Sequence, residues 1–218
     1  KQETTYGRTA LMTACIKLNY ENVVLLLNNP NINVNLRCKN GLTSLLWCTS
    51  YMCQKWFREH LESFHNIIKL LLKYNSDINA QGEKNYNDNT ILMQSCIYGI
   101  HETVQLLLDY PTINVNLQNN NGDTALMYAC KNGYYKIVEL LISYPTINVN
   151  LQNNHGYTAL IIACDNNHNE IINLLFKHSN MDVYILSSND FLNKKIIYQT
   201  IINNKFDIMK FDPLKIIK

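Results

Sequence analysis

Apolar positions along this chain fall into short helical patterns separated by polar turns. After Gly122, the residues Ala125, Leu126, Ala129 and Cys130 recur at helical spacing and make one apolar face. Thr124 stands just ahead of them, where a threonine oxygen can accept a first-turn N–H. Gly133 breaks the pattern. A second helix is predicted over residues 135–143, with Ile137, Val138, Leu140, Leu141 and Ile142 apolar. A helix apolar on nearly every side is expected to lie buried between neighbours. Tyr144-Pro145 ends it, because proline brings no N–H to the helical ladder. Residues 146–154 then run to the next glycine as an extended segment and a turn. The predicted unit is two antiparallel helices and a projecting loop.

The unit recurs. Tyr-Gly-Arg-Thr-Ala-Leu at 6–11 returns as Asn-Gly-Leu-Thr-Ser-Leu at 40–45, Asn-Asp-Asn-Thr-Ile-Leu at 87–92, Asn-Gly-Asp-Thr-Ala-Leu at 121–126 and His-Gly-Tyr-Thr-Ala-Leu at 155–160. The anchors Gly7, Gly41, Asp88, Gly122 and Gly156 stand 34, 47, 34 and 34 residues apart. A fixed period of this length predicts stacked units, each burying its apolar face on the next. The expected fold is an all-α solenoid with five units over residues 1–180. A degenerate unit or capping helix and a tail follow over 181–218. There Leu192, Ile196, Ile197 and Ile201 keep helical spacing, and Lys194, Lys195, Gln199 and Lys205 give the polar outer face that a terminal unit needs.

Two units deviate. Asp88 stands where the others have glycine, and aspartate is among the few residues that accept a left-handed turn. The second unit carries 13 extra residues. Most of them fall at about 51–65, a stretch without glycine or proline that is predicted to lengthen the helical hairpin. Trp56, Phe57, Leu61 and Phe64 form one apolar stripe there, which either docks a partner or covers its own neighbours.

The recurring residues resemble the ankyrin repeat. That family's pattern is Gly-x-Thr-Pro/Ala-Leu, then Ala-Ala/Cys, Gly, an Ile/Val-Val-x-Leu-Leu-Leu helix and an Asp-Val-Asn-Ala-like segment. Gly122, Thr124, Ala125, Leu126, Ala129, Cys130, Gly133, Ile137, Val138, Leu140, Leu141, Val149 and Asn150 occupy those places. The resemblance covers about residues 4–180. Three units depart from it by ending at Pro30, Pro111 and Pro145 and continuing with Ile-Asn-Val-Asn. The resemblance implies a protein-binding surface built from loop tips and first helices. The implied contacts are Tyr86, Asn87, Asn89, Ile97 and Tyr98 in unit three, and Asn120, Asn121, Asp123, Lys131 and Asn132 in unit four. In unit five they are Asn154, His155, Tyr157, Asp165 and Asn166. Units one and two offer Arg8, Ile16, Lys17, Lys39, Asn40, Leu42, Thr49 and Ser50. Tyr98 and Tyr157 are the favoured anchors, because tyrosine is enriched among binding hot spots. The in-register threonines (Thr9, Thr43, Thr90, Thr124, Thr158) are expected to cap helices. Asn35, Asn79, Asn116 and Asn150 are expected to satisfy loop backbone.

Charge and chemistry narrow the function further. The 19 basic and 17 acidic residues nearly cancel, which leaves no electrostatic footprint for nucleic acid. No run of 18 apolar residues suggests a membrane span. The chain opens Lys-Gln-Glu-Thr-Thr without a starting Met or a signal peptide, and is expected to be a fragment. Cys15, Cys96, Cys130 and Cys164 each follow their anchor by eight residues. Stacked helices lie about 10 Å apart, too far for disulfides, which need Cα atoms within about 7 Å. Buried thiols in an intracellular, cytoplasmic or nuclear setting are therefore expected. The 33 asparagines, with many Ile, Lys and Tyr, point to an AT-rich genome. This usage is similar to that of ankyrin proteins of large DNA viruses and AT-rich protists. No phosphate loop, zinc helix or nucleophile elbow is present. Cys53, His60 and His65 alone have metal-like spacing, and no fourth ligand is evident. The expectation is a monomeric, non-enzymatic adaptor or recognition subunit that needs no cofactor or metal and binds another protein. The alternative is a targeting module for a catalytic domain elsewhere.

Overall fold

The computed structural model describes residues 7–51, 59–82 and 88–181. Five helix pairs follow one another within them. They are α1 (Ala10–Ile16) with α2 (Tyr20–Leu27), α3 (Ser44–Trp47) with α4 (Leu61–Lys73), and α5 (Ile91–Tyr98) with α6 (His101–Leu108). The last two pairs are α7 (Ala125–Lys131) with α8 (Tyr135–Ile142), and α9 (Ala159–Asp165) with α10 (Asn169–Phe176). First helices stack on first helices, α1 on α3, α5 on α7 and α7 on α9. Second helices stack likewise, α2 on α4, α6 on α8 and α8 on α10. The result is the expected all-α repeat solenoid, two helical layers thick, with no strand among the described residues.

Each first helix begins at its threonine. The hydroxyl oxygens of Thr9, Thr43, Thr90, Thr124 and Thr158 accept the N–H groups of Met12, Leu46, Met93, Met127 and Ile161, at 3.2 to 3.4 Å. Each hydroxyl satisfies one of the donors that a helix start leaves open. Between the two helices of unit four the chain reverses at Gly133, whose φ of 72° lies in the left-handed region. Leu18 and Asn167 hold that register in units one and five, also at positive φ. Asp88 takes the anchor turn at φ 51° without being glycine.

The second helices are less buried than their composition suggests. In α8, Ile137, Val138 and Leu141 are buried, but Leu140 and Ile142 are only half-buried. With only two layers, the back of each second helix meets water. The insert lengthens the second helix of its pair: α4 has 13 residues, where α6, α8 and α10 have eight. Phe64 lies on the inner face of α4 with Ile67, Ile68 and Leu71, and is 0% exposed. It belongs to the core and is not available to a partner. Trp56 and Phe57 lie outside the described residues, as does nearly all of 181–218.

The column of Cys15, Cys96, Cys130 and Cys164 is buried, and its thiols form no disulfides. Burial pushes the Cys96 and Cys130 thiols well up from their ordinary pKa. Cys48 is also raised, first by its hydrogen bond with Cys15 and then by burial.

Ladders of side chains bonded to main-chain groups of the next unit join the loops. Ile113 and Val115 are buried while Asn114 is exposed, the period-two pattern of Ile-Asn-Val-Asn. Asn116 donates its amide to the Thr146 carbonyl (2.7 Å) and accepts the Asn148 N–H (2.8 Å). Asn79 does the same for Thr112 and Asn114, and Asn35 for Asn75 and Asp77. Asn150 donates to Asn180. A second ladder was not anticipated. The amide of Gln81 donates to Asp88 and Gln118 carbonyls, and that of Gln118 to Gly122 and Gln152 carbonyls. Arg37 fills the same role in unit two, donating to Gly41 and Gln81.

Candidate functional site

Stacking first helices and hairpin tips leaves a cleft of about 350 Å³ between units four and five. Its floor is Met127 and Ile161, both buried, with half-buried Tyr128 and Ile162 as walls. Asn121, Asp123, Asn153, His155 and Tyr157 form the rim on the tip side. Lys131, Asp165 and Asn166 form it at the helix ends. The sequence places residues here because α7 and α9 each start at a capping threonine and run seven residues. Their C-terminal ends therefore point to the same edge.

Hydrogen bonds fix the rim. Asn153 holds its own turn by accepting the His155 and Tyr157 N–H groups, both at 3.0 Å. It also donates to the Asp123 carboxylate of the preceding unit at 2.7 Å. Asn119 repeats this one unit earlier, accepting from Asn121 and Asp123 and donating to Asn89 and the Tyr128 hydroxyl, both at 2.8 Å. The position that holds Tyr128 in unit four holds Ile162 in unit five, where no hydroxyl closes the space. Burial and then the Asp123 carboxylate raise the Tyr128 pKa, which keeps the phenol protonated. The His155 and Tyr157 rings lie 6.4 Å apart at the mouth.

Seven of the residues singled out from the sequence therefore meet in one place: Asn121, Asp123, Lys131, His155, Tyr157, Asp165 and Asn166. Others do not. Ile97 and Tyr98 are half-buried at the end of α5, outside this cleft. Asn120 and Asn154 join tips, since the Asn154 side chain donates to the Asn120 carbonyl. Asn132 turns back to cap α7, with its amide on the Tyr128 carbonyl. Asn89 is 7% exposed and serves as acceptor for Asn119, so its expected partner role gives way to stacking. Ile16, Leu42 and Thr49 are buried as well. Tyr86 and Asn87 lie outside the described residues. Tyr128 and Ile162, which the sequence reading passed over, line the cleft. Their constant offset from the capping threonine was the signal that would have found them.

Of the residues with metal-like spacing in the insert, His60 and His65 are described. Cys53 lies outside the described residues, and His65 turns its Nε2 to the Thr103 hydroxyl at 2.9 Å. Burial holds the His65 pKa below the ordinary imidazole value; Glu102 opposes this and Lys69 adds to it. No helix among the described residues is long and apolar enough to cross a membrane.

Comparison with known proteins agrees with this geometry. A family model described as ankyrin repeats (3 copies) matches residues 1–81, 59–153 and 113–187. No curated protein matches the chain. The chain belongs to the ankyrin-repeat family, whose repeats are generally protein–protein interaction modules.

Proposed function

We propose that the chain is a non-enzymatic adaptor or recognition subunit that binds another protein as a monomer through its concave face. The cleft between units four and five carries the reading. It combines an apolar floor with a polar and aromatic rim, and Lys131, His155 and Asp165 on that rim are exposed. Such a site suits a partner side chain, with Tyr157 as the anchor. Among the described residues, six buried thiols outside any disulfide support an intracellular setting.

The test is affinity purification with mass spectrometry, comparing wild type with a folded Tyr98→Ala/Tyr157→Ala variant. A partner recovered by wild type and lost by the variant is the expected result. A partner retained by the variant, and lost only in Trp56→Ala/Phe57→Ala, would move the site to the insert and overturn the concave-face reading.

A further inference from the structure

Three charged side chains line the cleft: Asp123, which accepts from the Asn153 amide, and Lys131 and Asp165. Lys131 ends α7 and Asp165 ends α9, at the same register one unit apart. Lys131 and Asp165 are exposed, and neither side chain has an ion-pair or hydrogen-bond partner among the described residues. Lys131 suits the negative end of its helix, whereas Asp165 is electrostatically disfavoured at the same end of its own. The apolar floor of buried Met127 and Ile161, with half-buried Tyr128 and Ile162 beside it, adjoins this charged edge. At about 350 Å³ the space is near the lower bound for a small-molecule pocket and suits a side chain.

We propose that this cleft seats an apolar side chain of an extended partner segment, with an acidic residue toward Lys131 and a basic residue toward Asp165. This rests on the protein-binding reading above and specifies the partner for it. Charge complementarity selects the occupant. A uniformly acidic segment would set a carboxylate against Asp165, and a uniformly basic one would set an amine against Lys131. The apolar residue supplies affinity. The two charges fix which way the segment runs along the groove.

Random peptide display, run in parallel on the full chain and on a Lys131→Asp/Asp165→Lys variant, tests the proposal. Both positions are exposed, so the variant keeps the stacking contacts. Wild type is expected to enrich an apolar residue flanked by opposite charges, and the variant to enrich the reverse order. Each protein should bind its own selected peptide about tenfold more tightly than the other's. Enriched peptides with no charge order, the same order on both proteins, or no enrichment on wild type would overturn the proposal. Binding of the wild-type peptide to Tyr157→Ala separates the two readings. If binding is lost there but no charge order exists, only the charge assignment fails. If binding is unchanged there, the concave-face reading fails too.

Discussion

Alanine at Gly122 and, separately, at Gly156 would divide backbone strain from crowding at the hairpin tips. The two residues have nearly the same backbone, with φ of 76° and 77°. A side chain in that left-handed region costs about 1–2 kcal/mol. At Gly156 an added Cβ meets nothing within 4 Å, so strain is the whole cost. At Gly122 it would lie 2.7 Å from the Asn154 nitrogen and 2.8 Å from the Asn153 Cα. Those are main-chain atoms of the next tip. They are held in place by the Asn154 N–H on the Asn121 carbonyl at 2.9 Å. They cannot swing aside as a flexible side chain would, so the tips must part, and overpacking adds about 1–3 kcal/mol. Gly122→Ala is expected to cost about 3 kcal/mol and Gly156→Ala about 1 kcal/mol. Urea unfolding followed by circular dichroism measures both. Amide exchange at Asn154 should lose protection in Gly122→Ala alone. Equal costs, or unchanged protection at Asn154, would refute the reasoning.

Asn116→Ala removes the bonds to Thr146 and Asn148 and is expected to cost about 1–2 kcal/mol in urea unfolding. Asn120→Ala, at an exposed tip, should stay within about 0.5 kcal/mol. Thr124→Ala strips the cap of α7 and should cost about 1 kcal/mol, largely restored by Thr124→Ser. Cys96 and Cys130, buried with raised pKa values, should react with a thiol reagent only as fast as the array opens; prompt labelling at either residue, located by peptide mass spectrometry, would contradict this. His65 binds its proton less readily folded than unfolded. The unfolded chain therefore holds more protons below about pH 6.5, and stability should fall as pH drops through that value. In His65→Gln this part of the pH dependence of the urea midpoint should vanish.

The parts of the fold that repeat were legible in the sequence, because each repeated residue has a local duty. Thr124 caps the helix it precedes, and Asp88 takes a turn set by its own φ. Neither needs knowledge of a neighbour. The stripe of the insert was harder. Phe64 and Leu61 read alike in a helical pattern, yet Phe64 is sealed in the core and Leu61 is half-buried. Only packing against the next elements decides which edge faces inward. The same limit applied to Asn89 and Asp123, which look like free tip residues until the asparagine of the following unit claims them. The glutamine ladder could have been foreseen. Leu-Gln-Asn-Asn stands at both 117–120 and 151–154, an identity that codon bias alone does not demand.

The loop ladders have a consequence for how such a chain can change over generations. Asn35, Asn79 and Asn116 reach only main-chain groups of the unit that follows, which every unit possesses whatever its side chains. A 34-residue block could be duplicated, deleted or exchanged with its seams still joined. Among the described loop residues, the Asn119 to Asn89 and Asn153 to Asp123 contacts ask for a particular neighbour, as His65 on Thr103 does between second helices. The array is thus modular along most of its loop edge and order-dependent at those two tips, the second of which borders the cleft between units four and five.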